Sequence, residues 1–258
     1  MSPARLLDRH RRKEWLAWLS ARTDRDLGSG FDATGWAAST WVLHSMYEDP
    51  SLGYEASHDD LYRQRLAAGL EKLSPIAALL ADSGAVVEGG VLGMAGPVGV
   101  DCVRLTWRAL AERLGLELGH SDVPPCYRWF PYRSWPAGIY PPDEGSLDSE
   151  SLVRLVSHLS PLSGEGAAAP CIAYYTPLVT GDWDEPWVSA FLLGEVADLI
   201  EPDAGRVGSP SNWWPVDKTW MVYTDWDLWA TRVSGPRQLI DDIISDDQLE
   251  TIDWPLTH

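Results

Sequence analysis

The chain has 258 residues, 45% of them hydrophobic, which is enough to bury a substantial core. Its 38 acidic and 20 basic residues give a formal net charge of -18. This charge argues against a nucleic-acid partner, because neutralising phosphates requires clustered Lys and Arg.

Cysteine usage and the N-terminus together predict a cytoplasmic location. Cys102, Cys126 and Cys171 are odd in number and form no CxxC pair, so neither a disulfide framework nor a zinc ribbon is predicted. The basic N-terminus is not followed by the apolar core of a signal peptide, because Glu14 and Arg22 interrupt it. We therefore expect a cytoplasmic protein with neither membrane nor nucleic acid as partner.

The first third of the chain carries patterns typical of helices. Apolar residues recur at helical spacing over residues 3–21 and again over residues 31–47. A third helix is predicted to start at Ser57, which with Asp60 forms a variant of the capping box, and to end near Gly69. These patterns predict a helical N-terminal third.

The middle of the chain is rich in glycine and proline. Residues 75–99 predict short strands joined by turns, because their glycines lack both GxGxxG spacing and a following Lys-Ser/Thr. A helix is predicted over residues 104–114, ending at Gly115. Residues 121–145 contain prolines between aromatic residues and predict edge strands with extended connections.

Strand patterns dominate the last half, after one regular helix over residues 147–159 that Ser146 is expected to cap. Two strands are predicted at residues 171–176 and 187–193. The densest cluster of aromatic residues then predicts a hairpin, in which strands 219–224 and 229–233 are joined by Asp225-Trp226-Asp227. Ser234-Gly235-Pro236 predicts the start of a further helix.

These elements predict an α+β fold, with a helical N-terminal third followed by a mostly antiparallel sheet with packed helices. We expect a single domain over residues 1–258. An alternative is a helical N-terminal subdomain, residues 1–72, before a sheet-rich body, residues 73–258.

Several segments resemble an uncharacterised bacterial family of hypothetical proteins. They are residues 127–136 (YRWFPYRSWP), 144–152 (EGSLDSESL) and 213–235 (WWPVDKTWMVYTDWDLWATRVSG), with support around 41–49 (WVLHSMYED). No activity is known to us for that family, so the resemblance carries no catalytic residue over to this chain.

The triplet Asp-Trp-Asp occurs twice, at residues 182–184 and 225–227. Aspartates are common in turns because their side chains accept hydrogen bonds from nearby backbone N–H groups. Paired carboxylates beside tryptophan also fit a carboxylate-based hydrolase or a carbohydrate-binding protein, using Asp182, Asp184, Asp225 and Asp227 with Trp213, Trp214 and Trp226. Neither triplet has EF-hand spacing, and the six dispersed histidines form no metal motif, so no metal or cofactor is expected.

Tryptophan dominates interface hot spots, and an acidic rim attracts basic partners. We therefore expect a non-enzymatic binding protein, immunity-like or regulatory, that contacts a basic protein partner through the tryptophan- and aspartate-rich hairpin. The predicted binding residues are Trp213, Trp214, Asp217, Asp225, Trp226, Asp227 and Trp229.

Overall fold

A computed structural model describes residues 5–23, 30–70, 101–119, 122–130, 135–200 and 209–254. The glycine-rich segment 75–99, predicted to form short strands, lies outside these residues. The strands are β1 Arg5–Leu6, β2 Ala38–Leu43, β3 Met46–Glu48, β4 Val103–Leu105, β5 Ile139–Tyr140, β6 Pro170–Tyr175, β7 Trp187–Leu192, β8 Asn212–Pro215, β9 Met221–Thr224, β10 Ala230–Gly235 and β11 Thr251–Ile252. The helices are α1 Arg9–Ser20, α2 His58–Ala67, α3 Trp107–Leu114, α4 Ser149–Leu159, α5 Pro177–Thr180, α6 Val196–Ile200 and α7 Arg237–Ile244.

The chain divides into two compact units, and each draws on more than one stretch of sequence. The first comprises Met1–His44, Gly119–Cys126 and Glu144–His258, and the second comprises Ser45–Leu118 and Tyr127–Asp143. The domain limits expected from the sequence stay predictions.

The first unit contains an antiparallel sheet of eight described strands in the order β1-β7-β6-β8-β9-β10-β2-β11. Successive side chains of a strand point to opposite faces, and β6 follows this rule. Cys171, Ala173 and Tyr175 pack in a core with α4, α6 and α7, whereas Ile172 and Tyr174 pack in a core with α1. The sheet is therefore covered by helices on both faces, here named the α4 face and the α1 face.

The second unit contains a three-stranded antiparallel sheet in the order β4-β3-β5. The predicted capping box at the start of α2 is confirmed, since Asp60 N–H donates to Ser57 and the Asp60 carboxylate accepts from Ser57 N–H. Trp107 of α3 contacts Trp129 and Phe130, with ring centroids 5.9 and 5.3 Å away.

The prediction of a helical N-terminal third followed by a sheet is wrong. Residues 31–47, predicted as a helix, contain β2 and the start of β3, and helices occur along the whole chain. The apolar run Trp41-Val42-Leu43 is buried on both sides of the sheet, and such a continuous run fits a helix and a central strand equally well by periodicity. The segment forms a strand because β2 pairs with β10 and β11 in the sheet.

Other elements were predicted closely. The hairpin of β9 and β10 is confirmed, as is the following helix, α7. Leu155 of α4 is fully buried, as its position in the apolar stripe predicts, although Asp148 rather than Ser146 caps that helix. Within the described residues, no helix has the length and apolarity needed to cross a membrane.

Candidate acidic binding edge

The structure separates the predicted binding residues into a buried and an exposed group. Trp213, Trp214 and Trp229 are fully buried or nearly so. Trp213 points to the α4 face, where its ring centroid lies 5.4 Å from that of Trp220, and Trp214 points to the α1 face beside Trp15. Trp213 and Trp214 thus pack in the two cores, and none of the three buried tryptophans presents its ring to a partner.

Asp217 lies apart from the hairpin turn of residues 225–227. It is exposed in the connection from β8 to β9, which is at the opposite end of β9. Its carboxylate accepts hydrogen bonds from Thr219 N–H (3.0 Å) and from the Thr219 hydroxyl (2.6 Å). Asp217 therefore stabilises its own turn.

The turn between β9 and β10 presents one tryptophan to solvent. Asp225 is 8% exposed, and its carboxylate accepts from Asp227 N–H (3.0 Å) and from the Tyr223 hydroxyl (2.9 Å). These bonds place Trp226 at the apex with 44% of its surface exposed, and Asp227 is exposed beside it. Of the predicted set, Trp226 and Asp227 are thus the residues at this turn that a partner can reach.

The chain just before α4 packs against this turn. Gly145 N–H donates to Leu228 C=O (2.9 Å), and a Cβ built on Gly145 would lie 2.7 Å from Trp226 Cα. Gly145 also has a φ of 66°, in the left-handed region. Only glycine fits here without displacing the backbone of the turn.

This contact brings Glu144 close to the aspartates of the turn. Burial, and then the negative charge of Asp227, raise the pKa of Glu144 above its usual value. Partial burial, and then the charge of Asp225, likewise raise the pKa of Asp227. The carboxyl groups thus destabilise one another when ionised, and a cation bound between them would relieve this repulsion.

The second Asp-Trp-Asp triplet, between β6 and β7, forms a similar turn. The Asp182 carboxylate accepts from Asp184 N–H and Glu185 N–H, both at 3.1 Å. Trp183 is 69% exposed and Asp184 is exposed. In both triplets, therefore, the first aspartate holds the turn and the tryptophan and second aspartate face solvent.

Both turns lie at the same edge of the eight-stranded sheet, where strands β6 and β9 end. Tyr174 pairs with Asn212, which pairs with Tyr223, so β6 and β9 run in the same direction and end at the same level. Three strand spacings separate the middle of the β7-β6 pair from the middle of the β9-β10 pair, or roughly 15 Å. We name this surface the acidic edge and define it as Glu144, Trp183, Asp184, Trp226 and Asp227.

The acidic edge combines exposed aromatic faces with carboxylates. A guanidinium or ammonium group placed over an indole ring gains cation–π attraction, and a neighbouring carboxylate adds a charge-assisted hydrogen bond. The triplets were visible in the sequence, but the part played by Glu144 was missed because 83 residues separate it from Asp227. Among the described residues, no group of three or more His, Cys, Asp or Glu is placed to hold a metal ion.

No protein-family model matches this chain, and neither the curated proteins nor the solved structures contain a match to it. The resemblance of four segments to an uncharacterised bacterial family stays a prediction.

Proposed function

We propose that this is a non-enzymatic binding protein, immunity-like or regulatory, that recognises a cationic protein partner through its acidic edge. The observation that carries the proposal is the repetition of one arrangement. Two turns at the same edge each expose a tryptophan beside a carboxylate, and Trp183 and Trp226 are 69% and 44% exposed.

Electrostatics supports a cationic rather than a neutral partner. The net charge is -18, so a basic protein would be attracted over a long range at low salt. The raised pKa values of Glu144 and Asp227 mean that their charges are unfavourable in the free protein. A bound Arg or Lys would convert this repulsion into attraction.

The spacing of the two strand pairs that carry the turns sets the length of the expected partner segment. An extended chain rises about 3.3 Å per residue, so roughly 15 Å corresponds to four or five residues. A segment with two arginines separated by that distance would reach both tryptophans at once. Binding at two linked positions is stronger than at either one because the second contact is intramolecular.

Titration calorimetry with synthetic peptides tests the proposal. One peptide carries two arginines four residues apart, and a control of equal charge carries them adjacent. We expect the spaced peptide to bind at least about 10-fold more tightly, since avidity depends on simultaneous contact. Equal binding of the two peptides would contradict recognition by both turns.

Variants identify the surface that binds. Trp183→Ala with Trp226→Ala should abolish the preference for the spaced peptide, because both exposed rings are removed. Asp241→Asn with Asp242→Asn on α7 is the control, since it removes two exposed charges outside the acidic edge. A loss of binding in the Asp241/Asp242 variant with no loss in the tryptophan variant, which keeps every charge, would mean that only net charge matters, and would reject the acidic edge as the site.

The cytoplasmic location is also proposed. Cys102, Cys126 and Cys171, all of them described residues, form no disulfide in the structure, which fits a reducing compartment. Thiol titration of the denatured, unreduced natural protein should count three. A count of one would indicate a disulfide and contradict the proposed compartment.

The pair of Glu144 and Asp227 favours one other function, a carboxylate-based hydrolase. Two coupled carboxyl groups of raised pKa are suited to general acid–base catalysis. An assay with aryl glycosides would support this alternative if hydrolysis were detected and were lost in Glu144→Gln. Peptide binding without hydrolysis would favour the binding protein.

A further inference from the structure

The N-terminal end of helix α1 is basic in an otherwise acidic chain. Residues 5–14 contain five basic and two acidic side chains, whereas the whole chain has 20 basic and 38 acidic residues. Arg9, Arg11 and Lys13 are exposed, and none of the three forms an ion pair with another described residue. We name these three residues the basic patch.

Strand β1 and helix α1 place the basic patch at the same edge of the sheet as the acidic residues. β1 pairs antiparallel with β7, and Leu7 N–H donates to Val188 C=O (3.0 Å), so the chain runs toward the turn at 182–184 as it enters α1. Arg12 then pairs through Nη2 with Glu185 (2.8 Å), the residue that follows that turn. The first turns of α1 are therefore at the acidic edge.

The rest of α1 leads away from the acidic edge. Trp18, near its C-terminal end, has its ring centroid 4.8 Å from Nζ of Lys218, which belongs to the connection between β8 and β9 at the opposite edge. The 12 residues of α1 span roughly 18 Å, which is enough to cross the sheet along its strands. The basic patch is thus the part of α1 that lies beside the acidic edge.

The turn at 225–227 provides an acidic surface on the same edge. Trp226 is 44% exposed, Asp227 is exposed beside it and Glu144 is partly exposed. Burial and then the charge of Asp227 raise the pKa of Glu144, and a cation placed beside these carboxyl groups would stabilise their ionised forms. Roughly 15 Å separates this turn from the β6-β7 pair, next to which α1 begins. One edge therefore carries a basic and an acidic surface side by side.

Such an edge is complementary in charge to a second copy of itself. A two-fold axis between the two surfaces brings the basic patch of each copy onto the acidic turn of the other, so the same contact forms twice. The net charge of -18 opposes association at long range. At physiological ionic strength, however, charges farther apart than about 8 Å are largely screened, so the charges in contact dominate.

We propose that this protein forms a two-fold dimer in which the basic patch of each copy contacts Trp226 and Asp227 of the other. A guanidinium group from α1 stacks on the exposed indole ring and donates hydrogen bonds to the neighbouring carboxylate. The inference rests on the proposed function, since it names a second copy of this chain as a cationic protein that the acidic edge binds. Any other cationic partner then competes with the dimer.

Sedimentation velocity of the natural protein at 0.15 M salt tests whether the dimer forms. We expect a dissociation constant of about 100 μM or tighter, in the range of weak and transient interfaces. Protein that is entirely monomeric at a concentration of about 0.5 mM would overturn the proposal, since that concentration is well above the expected dissociation constant.

Two charge-reversed variants locate the contact. The first carries Arg9→Glu with Lys13→Glu, and the second carries Glu144→Gln with Asp227→Lys. Each variant alone should be monomeric, because both of its contacts then join like charges. An equal mixture should form a heterodimer with a dissociation constant within about 10-fold of the natural value, because both contacts again join opposite charges. Failure of two folded variants to associate would overturn the proposal.

A matched control for the second variant carries Asp241→Asn with Asp242→Lys on α7, which change the net charge equally outside the acidic edge. The control should dimerise within about twofold of the natural protein. A loss of the dimer as large as in the second variant would indicate a general effect of charge and reject the contact. If the second variant fails to fold, Trp226→Ala replaces it and should weaken the dimer ~10-fold or more.

The peptide with two spaced arginines distinguishes failure of this inference from failure of the proposed function. Monomeric protein that binds the peptide would reject the dimer alone. A dimer that responds to charge reversal as expected but does not bind the peptide would keep the dimer and reject recognition of an extended segment by both turns. Bound peptide should dissociate the dimer, and a dimer that persists with peptide bound would reject a contact through the acidic edge.

Discussion

The two Asp-Trp-Asp turns share a sequence and a hydrogen-bonding pattern but differ in what surrounds them. In the turn at 182–184, the holding aspartate is partly exposed and the tryptophan is 69% exposed. In the turn at 225–227, the holding aspartate is 8% exposed, Tyr223 also bonds to it, and Gly145 packs on the backbone of the apex. The triplet therefore determines the local turn. The residues packed around the turn determine how much of the protein's stability depends on it.

Replacing the glycine beside each turn by alanine is expected to give the largest difference in stability between the two turns. Gly145 and Gly181 have φ values of 66° and 70°, so alanine is strained by the backbone at both positions. Gly181→Ala meets no atom within 4 Å and should cost ~1 kcal/mol, the penalty of a left-handed alanine. Gly145→Ala also collides with the Trp226 backbone and should cost ~3 kcal/mol or more.

Urea denaturation of the two glycine variants measures this difference directly. Equal costs would show that packing of residue 145 on the hairpin turn contributes nothing to stability. The comparison of the turns would then rest on the aspartates alone.

Replacing the first aspartate of each turn is expected to change the free energy of unfolding by an intermediate amount. Asp225→Ala leaves the buried Tyr223 hydroxyl and Asp227 N–H without their acceptor and should lower the free energy of unfolding by ~2 kcal/mol. Asp182→Ala loses bonds only to Asp184 N–H and Glu185 N–H in a more exposed turn, and should cost ~1 kcal/mol.

Asparagine at either holding position is the matched control, since its side-chain oxygen still accepts from the backbone. Both Asn variants should unfold close to the midpoint of the natural protein in urea. A larger loss for Asp182→Ala than for Asp225→Ala would reverse the proposed ranking of the turns.

Neutralising Glu144 or Asp227 is expected to have the smallest effect on stability, and this effect is stabilising rather than destabilising. A carboxyl group whose pKa is raised by folding binds its proton more tightly in the folded state, so its ionised form weakens folding at neutral pH. Glu144→Gln and Asp227→Asn should each stabilise the protein at pH 7, by ~0.5 kcal/mol after allowance for solvent screening.

The advantage of these two variants should shrink as the pH falls through the folded-state pKa values of the carboxyl groups, because the natural protein then becomes neutral at those positions. Thermal unfolding between pH 7 and pH 4 follows this change. Asp184→Asn, which removes the same charge from the other turn, is the control for a general effect of net charge. An advantage that grew on acidification would contradict the raised pKa values.

Elements with strong local signals were predictable from the sequence. The β9-β10 hairpin follows from β-branched and aromatic residues on either side of an aspartate turn, and the start of α2 follows from Ser57 and Asp60. Burial of Leu155 follows from its place in an apolar helical stripe. In each of these cases, the residues that decide the structure are within a few positions of one another.

Elements that depend on distant partners were not predictable in this way. Residues 38–43 become a strand because β10, about 190 residues later in the chain, pairs with them. Trp213 and Trp214 look like interface residues by composition, but helices cover the two faces of the sheet to which they point. Periodicity and composition contain no information about which surfaces a later segment will cover.

The sequence by itself determined the hairpin turn, the capping box of α2, the net charge and the two Asp-Trp-Asp triplets, because short-range hydrogen bonds and composition settle these features. Only the tertiary structure decided which tryptophans are exposed, that both triplets lie at one edge, and that Glu144 lies near Asp227. It also decided that Arg22, Arg232 and Arg237 all donate hydrogen bonds to residues of the segment 34–39. Burial and proximity depend on strand pairing between residues far apart in the chain, and no local pattern specifies that pairing.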